Sequence, residues 1–175
     1  MSEYSLPCIL MIQATGTILL MRHLLILIHL IFLLITAPAL ADEIDDILAG
    51  DTAPPGIVFE IVSDEEDLLK DVLPTIGNDI KRLRKRFPGL DVAIVSHGDE
   101  QFALTTDNRA KNPELHEIAE KLVDDQQVSM HVCETYAEWN GVSAEEFAEF
   151  IDVSATGPAQ INDYRALGYI VIVLP

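Results

Sequence analysis

Runs of consecutive apolar, largely β-branched residues alternate along this chain with segments whose apolar residues recur every three to four positions. The runs predict strands at 57–62, 91–96, 128–133, 152–155 and 169–174, and the periodic segments predict helices at 66–87, 114–123, 134–150 and 157–167. Strands that are apolar along their whole length are typical of a parallel sheet covered by helices on both faces. The sequence therefore predicts an α/β fold with a mainly parallel sheet.

Two of the predicted helices contain residues that interrupt helices. Pro74 and Gly77 predict a kink or break within 66–87, because proline removes a backbone donor and clashes with the preceding turn. The segment Asn140–Ser143 predicts that 134–150 forms two helical pieces.

Residues 1–41 consist of an N-terminal extension and then, from Arg22 to Ala41, the pattern of a secretory signal peptide. Arg22 precedes an apolar run from Leu24 to Thr36, and the small residues of 37–41 follow it. A charged start, an apolar stretch of about 7–15 residues and a small-x-small end are the parts of such a signal. We expect export to the bacterial periplasm, with cleavage after Ala41 and no membrane attachment afterwards.

Alternative interpretations of this leader are an uncleaved membrane anchor and a buried core helix. The run is shorter than the roughly 20 residues of a spanning helix, and it has no polar face. Met21 followed by Arg22 makes a natural start for a signal peptide, so residues 1–20 are interpreted as a mis-assigned translation start.

Residues 42–56 are acidic and then rich in proline and glycine, which predicts a flexible arm before a domain at 57–175. The alternative is that Ile44, Ile47 and Leu48 dock as a short helical turn. The formal net charge is −18. Such a surface repels phosphate backbones and anionic lipids, and this argues against nucleic acid as a partner.

No sequence motif for a common α/β cofactor or nucleophile is present. No strand is followed by G-x-G-x-x-G, by a phosphate-binding loop with lysine, or by G-x-S-x-G. The sequence therefore predicts no cofactor. Ligands of open parallel sheets lie outside the carboxyl ends of the strands, where this chain has Ser96–Gly98, His131–Cys133 and Ser154–Gly157.

Cys133 is the most chemically distinctive residue at these strand ends. The only other cysteine, Cys8, lies in the predicted leader, so Cys133 has no partner within the exported chain. Backbone N–H groups at a helix start stabilise a cysteine thiolate, and Glu134 opposes that effect. His97 ends another strand and is a candidate base or stabilising cation beside Cys133. The alternatives are a buried, unreactive cysteine and, for His97, a histidine of a surface turn.

Two further groups of residues have alternative interpretations. His131 and Cys133 lie two residues apart on one strand and so share a face of the sheet. Together with His97 they could form a set of three metal ligands. The alternative for His131 is a histidine of the core. Five cations, Lys81, Arg82, Arg84, Lys85 and Arg86, end the first helix of the domain. They either complement the helix dipole or dock an acidic subunit neighbour.

Three segments, V-A-I-V-S-H-G (92–98), V-S-M-H-V-C-E-T-Y (128–136) and L-G-Y-I-V-I-V-L-P (167–175), resemble the DsrE/DsrF-like family of intracellular sulfur oxidation and sulfur-relay proteins. The resemblance covers about 57–175 and implies a three-layer α/β/α sandwich with a five-stranded, mainly parallel sheet. It also implies homotrimers or hexamers. By the resemblance Cys133 matches the sulfur-accepting cysteine and His97–Gly98 the turn beside it, and we predict Gly98, Thr135 and Gly157 as binding residues.

The leading hypothesis is an exported persulfide carrier, at most sulfurtransferase-like, that exchanges sulfur with a donor or acceptor protein. The relay proteins of this family are cytoplasmic, whereas this chain carries an export signal. The second hypothesis is a non-catalytic ligand-binding or assembly module, and the third is a Cys/His metal-binding protein.

Overall fold

The computed structural model describes residues 39–174. The predicted leader and the suggested start at Met21 lie outside these residues, apart from 39–41. The helices are α1 (Ala39–Ala49), α2 (Leu68–Arg86), α3 (Pro113–Asp124), α4 (Glu134–Trp139) and α5 (Gly157–Ala166). The strands are β1 (Gly56–Ile61), β2 (Asp91–Ser96), β3 (Ser129–Cys133), β4 (Asp152–Ser154) and β5 (Ile170–Leu174).

Within residues 39–174, no helix has the length and apolar content needed to cross a membrane.

The five strands form one sheet in the order β4-β3-β2-β1-β5, and all four pairings are parallel. The chain moves outward from β1 to β4 and then crosses back, through α5, to place β5 on the other side of β1. Because parallel crossovers are right-handed, this reversal puts α5 on the opposite face from α2 and α3.

The core consists of two apolar layers, one on each side of the sheet. Strand residues such as Ile57, Phe59 and Ile94 pack with α2 and α3 on one face, and Val58, Ala93 and Val95 pack with α5 on the other. Adjacent residues of one strand thus enter different layers, as the period of two in a β-strand requires. The predicted α/β fold with a five-stranded parallel sheet is confirmed.

The beginning of the predicted arm is helical and docked, which is the alternative interpretation of residues 42–56. Residues 39–49 form a helix whose Ile44 is buried in the core beneath the sheet. Asp45 makes an ion pair with Arg82 at 2.5 Å, and Arg86 donates to the carbonyl of Gly50 at 2.9 Å. The apolar face of this short helix therefore becomes stable through contacts with α2, because propensity alone does not stabilise a helix of this length.

Two predicted helices have different extents from those expected. Helix α2 runs through Pro74 and Gly77 without a break. Gly77 lies at the contact with α3, where a Cβ would meet Leu122 at 3.4 Å. The break expected at Asn140–Ser143 is present: 134–150 contains a helix of six residues, α4, and then a 3₁₀ turn at Ala144–Glu146 that is shorter than the expected second helix.

The cations at the end of α2 mainly hold tertiary structure. Arg84 donates to the carbonyl oxygens of Leu90 and Gln126, which fastens the loops that precede β2 and β3. Arg82 and Arg86 bind α1 and the loop after it. The three arginines therefore make tertiary contacts that neither the helix-dipole nor the subunit-docking interpretation included.

Candidate functional site

Cys133 is the last residue of β3 and the residue immediately before α4. Its side chain is buried with 5% of its surface exposed, and it is a free thiol. The Tyr136 N–H donates to Cys133 Sγ at 3.4 Å, so the sulfur caps the first turn of α4. Tyr136 is held in turn by its hydroxyl, which donates to Asp99 at 2.6 Å, and by stacking on Phe102.

Glu100 joins the carboxyl ends of β1 and β2. It lies in a 3₁₀ segment, Asp99–Leu104, and is fully buried. Its Oε1 accepts from Ser96 Oγ at 2.7 Å and from the N–H groups of His97 and Gly98 at 3.1 and 3.0 Å. Its Oε2 accepts from the Ser63 N–H at 2.8 Å. Four donors on one side chain make Glu100 the central acceptor of this edge.

Gln101, the next residue, connects the same segment to β3. Its side chain is fully buried, and its Oε1 accepts from the Cys133 N–H at 2.8 Å. Its Nε2 has no hydrogen-bond partner among the residues that the structure describes. Glu100 and Gln101 together therefore fasten three strand ends, and Gln101 does so at the cysteine itself.

The three predicted binding residues lie around these strand ends in packing roles. Thr135 donates from its N–H and its hydroxyl to the carbonyl of Ala155, which ties α4 to the end of β4. A Cβ on Gly98 would lie 2.3 Å from Ser63 O, and one on Gly157 would lie 2.4 Å from His97 Cβ. Neighbouring groups approach both positions too closely for a Cβ atom, so each position requires glycine.

His97 leaves the sheet beside Cys133, but its ring is bound elsewhere. Ser96 pairs with Val132, so the next residues, His97 and Cys133, leave adjacent strands together. The His97 imidazole Nε2 lies 3.1 Å from Glu60 Oε1, on the β1 side of His97. Within residues 39–174 no hydrogen bond joins His97 to Cys133, so the predicted acid–base pair is not assembled in this conformation.

His131 belongs to a buried polar network between β3, β4 and α5. Ser154 Oγ donates to Gln160 Oε1 at 3.0 Å, so its oxygen is left to accept from His131 Nδ1 at 3.2 Å. His131 Nε2 then accepts from the Tyr164 hydroxyl at 2.8 Å. Burial lowers the pKa of His131, and the nearby Asp152 carboxylate opposes that effect only partly. This geometry fits the alternative interpretation of His131 as a core histidine.

We expect acidification to destabilise the fold through His131 and His116, because burial lowers the pKa of both imidazoles. In both, the folded pKa lies below the value of about 6.5 in an unfolded chain, so the unfolded chain binds more protons below that pH. The contribution of the two neutral imidazoles to stability is fully present above about pH 6.5. As the pH drops below that value, the free energy of unfolding falls by up to about 1.4 kcal/mol per pH unit for each imidazole.

Urea unfolding followed by circular dichroism between pH 7.5 and 5.5 measures this slope. His131→Gln and His116→Gln each remove one titrating ring, and each variant is expected to show a shallower slope than the wild type. Slopes that match the wild type in both variants would contradict the assignment.

The metal alternative receives no support from the geometry. Among the described residues, no group of three or more His, Cys, Asp or Glu side chains is arranged to hold a metal ion. His97 and His131 turn to different partners, Glu60 and Tyr164.

Sequence reasoning did not identify Glu100 and Gln101. Both lie in a polar stretch after β2 that has no apolar periodicity. Glu100 has three nearby donors at 96–98, but its partner Ser63 is 37 residues away and the partner of Gln101, Cys133, is 32 residues away. The one available signal was their position directly after a strand end, where polar residues of parallel sheets meet.

No protein-family model matches the chain, and no curated protein matches it. Among solved structures it is similar to MTH1491, a protein of unknown function from Methanobacterium thermoautotrophicum, at 19% identity and a TM-score of 0.53, over 67% of this chain and 97% of that one.

Two further similar structures are BT1422, a conserved protein of unknown function from Bacteroides thetaiotaomicron, and the YchN protein of E. coli. The identities are 13% and 14%, and both TM-scores are 0.49. The matches cover 69% and 68% of this chain, and 95% and 99% of the other chains. The likeness to MTH1491 concerns the fold alone, and it agrees with the predicted α/β fold.

Proposed function

We propose that the protein carries sulfur as a persulfide on Cys133. The observation that carries the proposal is the place of this free cysteine at the carboxyl end of β3, where ligands of parallel sheets bind. Its sulfur accepts a hydrogen bond from the Tyr136 N–H, which fixes its direction. The resemblance of 128–136 to the sulfur-accepting segment of the DsrE/DsrF-like family supports the same role.

The chemical step is an exchange between a thiolate and a low-molecular-weight persulfide, R–S–SH. The Cys133 thiolate attacks the outer sulfur of the donor, a new S–S bond forms at Sγ, and the donor's own S–S bond breaks. The electron pair of the broken bond leaves on R–S⁻, and the proton stays on the transferred sulfur. No external oxidant is consumed, and an acceptor thiolate removes the sulfur by the same exchange.

Persulfide loading is tested by incubating the full chain with cysteine persulfide and mapping peptides by mass spectrometry. We expect the peptide that contains Cys133 to become heavier by one sulfur atom in the wild type. Cys8→Ser, which removes the only other cysteine, should leave that gain unchanged, and Cys133→Ser should abolish it. A wild-type Cys133 peptide without added sulfur would refute the proposal.

His97 has a less direct place in this proposal. Proton transfer between Cys133 and His97 requires the imidazole to leave Glu60, to which it is hydrogen-bonded. His97→Asn is therefore expected to slow loading less than Cys133→Ser, and equal loss in the two variants would show that the ring does move to the sulfur.

A second candidate function is a non-catalytic ligand-binding or assembly module. The 5% exposure of Cys133 favours this alternative, because a buried thiol reacts slowly with reagents in solution. Alkylation by iodoacetamide in the folded and urea-unfolded protein distinguishes the two. Rapid alkylation of Cys133 in the folded state supports the carrier, and alkylation confined to the unfolded state supports the module.

The proposed setting is the periplasm, after removal of the leader, with a homo-oligomer as the working form. The first part rests on the signal-like pattern from Arg22 to Ala41, and the second on the family resemblance. N-terminal sequencing of the exported protein and its mass in solution test these two parts separately.

A further inference from the structure

The side-chain amide of Gln101 lies against Cys133 and is only half satisfied. Gln101 is fully buried, and its Oε1 accepts a hydrogen bond from the Cys133 N–H at 2.8 Å. Its Nε2 is also buried and has no partner among residues 39–174. A buried donor without an acceptor costs about 1–3 kcal/mol, and most buried polar side-chain atoms are hydrogen-bonded.

The orientation of this amide follows from its neighbour. Rotating the amide by half a turn would place the Nε2 donor against the Cys133 N–H donor, so the oxygen must face the backbone. Nε2 is attached to the same carbon as Oε1, so it too lies at the cysteine. The Cys133 sulfur already has a partner of its own, the Tyr136 N–H. An unused buried donor therefore belongs to the same side chain that contacts the backbone of the free cysteine.

We infer that Gln101 Nε2 donates a hydrogen bond to the terminal sulfur of a persulfide on Cys133, and this inference rests on the proposed function. The added sulfur would lie about 2.05 Å beyond Sγ. When this sulfur has released its proton to the R–S⁻ leaving group or to water, it is a negatively charged acceptor, and hydrogen bonds to charged acceptors are stronger than neutral ones. Gln101 is then a positioning residue that holds the carried sulfur and slows its loss.

The wild-type protein allows a direct test by nuclear magnetic resonance. The side-chain NH₂ signals of Gln101, identified by their absence in Gln101→Met, are expected to move downfield when cysteine persulfide loads Cys133. They should stay in place in Cys133→Ser treated in the same way. Unchanged Gln101 signals in a protein whose Cys133 is shown by mass spectrometry to be loaded would overturn the inference and leave the proposed function standing.

The lifetime of the loaded form supplies a second measurement. Gln101→Glu keeps an acceptor for the Cys133 N–H and removes the donor, and it is expected to shorten the persulfide half-life about tenfold to hundredfold. Gln127→Glu, the same change at an exposed loop position, should keep the wild-type half-life. Equal half-lives in the wild type and in Gln101→Glu contradict the inference. Absence of any loading in the wild type removes the proposed function and the inference together.

Discussion

Replacing Glu100 with alanine is expected to lower the free energy of unfolding by about 3–5 kcal/mol, a large share of the stability of a single domain. The reason is that Glu100 is the shared acceptor of four donors at the ends of β1 and β2. Without it, Ser96 Oγ and the backbone N–H groups of Ser63 and Gly98 lose their acceptor, whereas the His97 N–H still donates to the carbonyl of Ile61 at 3.1 Å. Urea unfolding followed by circular dichroism measures the loss.

Two further variants separate the hydrogen bonds of Glu100 from its volume and charge. Glu100→Gln keeps the shape but places an NH₂ group against donors, so we expect it to cost about 1–3 kcal/mol. Glu138→Gln makes the same change at an exposed position of α4 and should alter stability by less than about 0.5 kcal/mol. If Glu100→Ala were as harmless as Glu138→Gln, Glu100 would have no part in holding the strand ends.

Gly98→Ala is the second substitution with a large expected effect. A Cβ at this position would lie 2.3 Å from Ser63 O, 2.6 Å from Ser63 N and 2.4 Å from Glu100 Oε2. Two of these atoms are backbone at the end of β1, so the clash is not relieved by rotating a side chain. We expect a loss of about 3 kcal/mol or more in the free energy of unfolding.

Gly77→Ala provides the matched control, because it adds the same methyl group where there is room for it. The nearest atom, Leu122 Cδ2, would be 3.4 Å away, and the residue is inside helix α2. Alanine is the better helix former, so this variant is expected to gain about 0.5–1 kcal/mol. A Gly98→Ala protein as stable as Gly77→Ala would show that β1 and β2 separate easily at this edge.

The candidate site was only partly predictable from the sequence. Cys133, His97, Gly98 and Gly157 were found because they follow apolar strand runs, and parallel strands bring their carboxyl ends to one edge. Which groups meet at that edge was not predictable. The ring of His97 turns to Glu60, a residue on the other neighbouring strand, and the backbone of Cys133 is held by Gln101.

The sequence by itself determined the elements of the fold, since the period of the apolar residues is a local property that each strand and helix carries within its own residues. It indicated five strands and their burial on both faces, and both are present in the sheet. Tertiary structure alone decided the docking of α1 through Ile44 and the placement of Glu100 and Gln101. Each includes a contact between residues more than 30 positions apart, namely Asp45 with Arg82, Ser63 with Glu100 and Gln101 with Cys133. Only the folded chain brings these partners together, although the other three donors to Glu100 are its near neighbours in sequence.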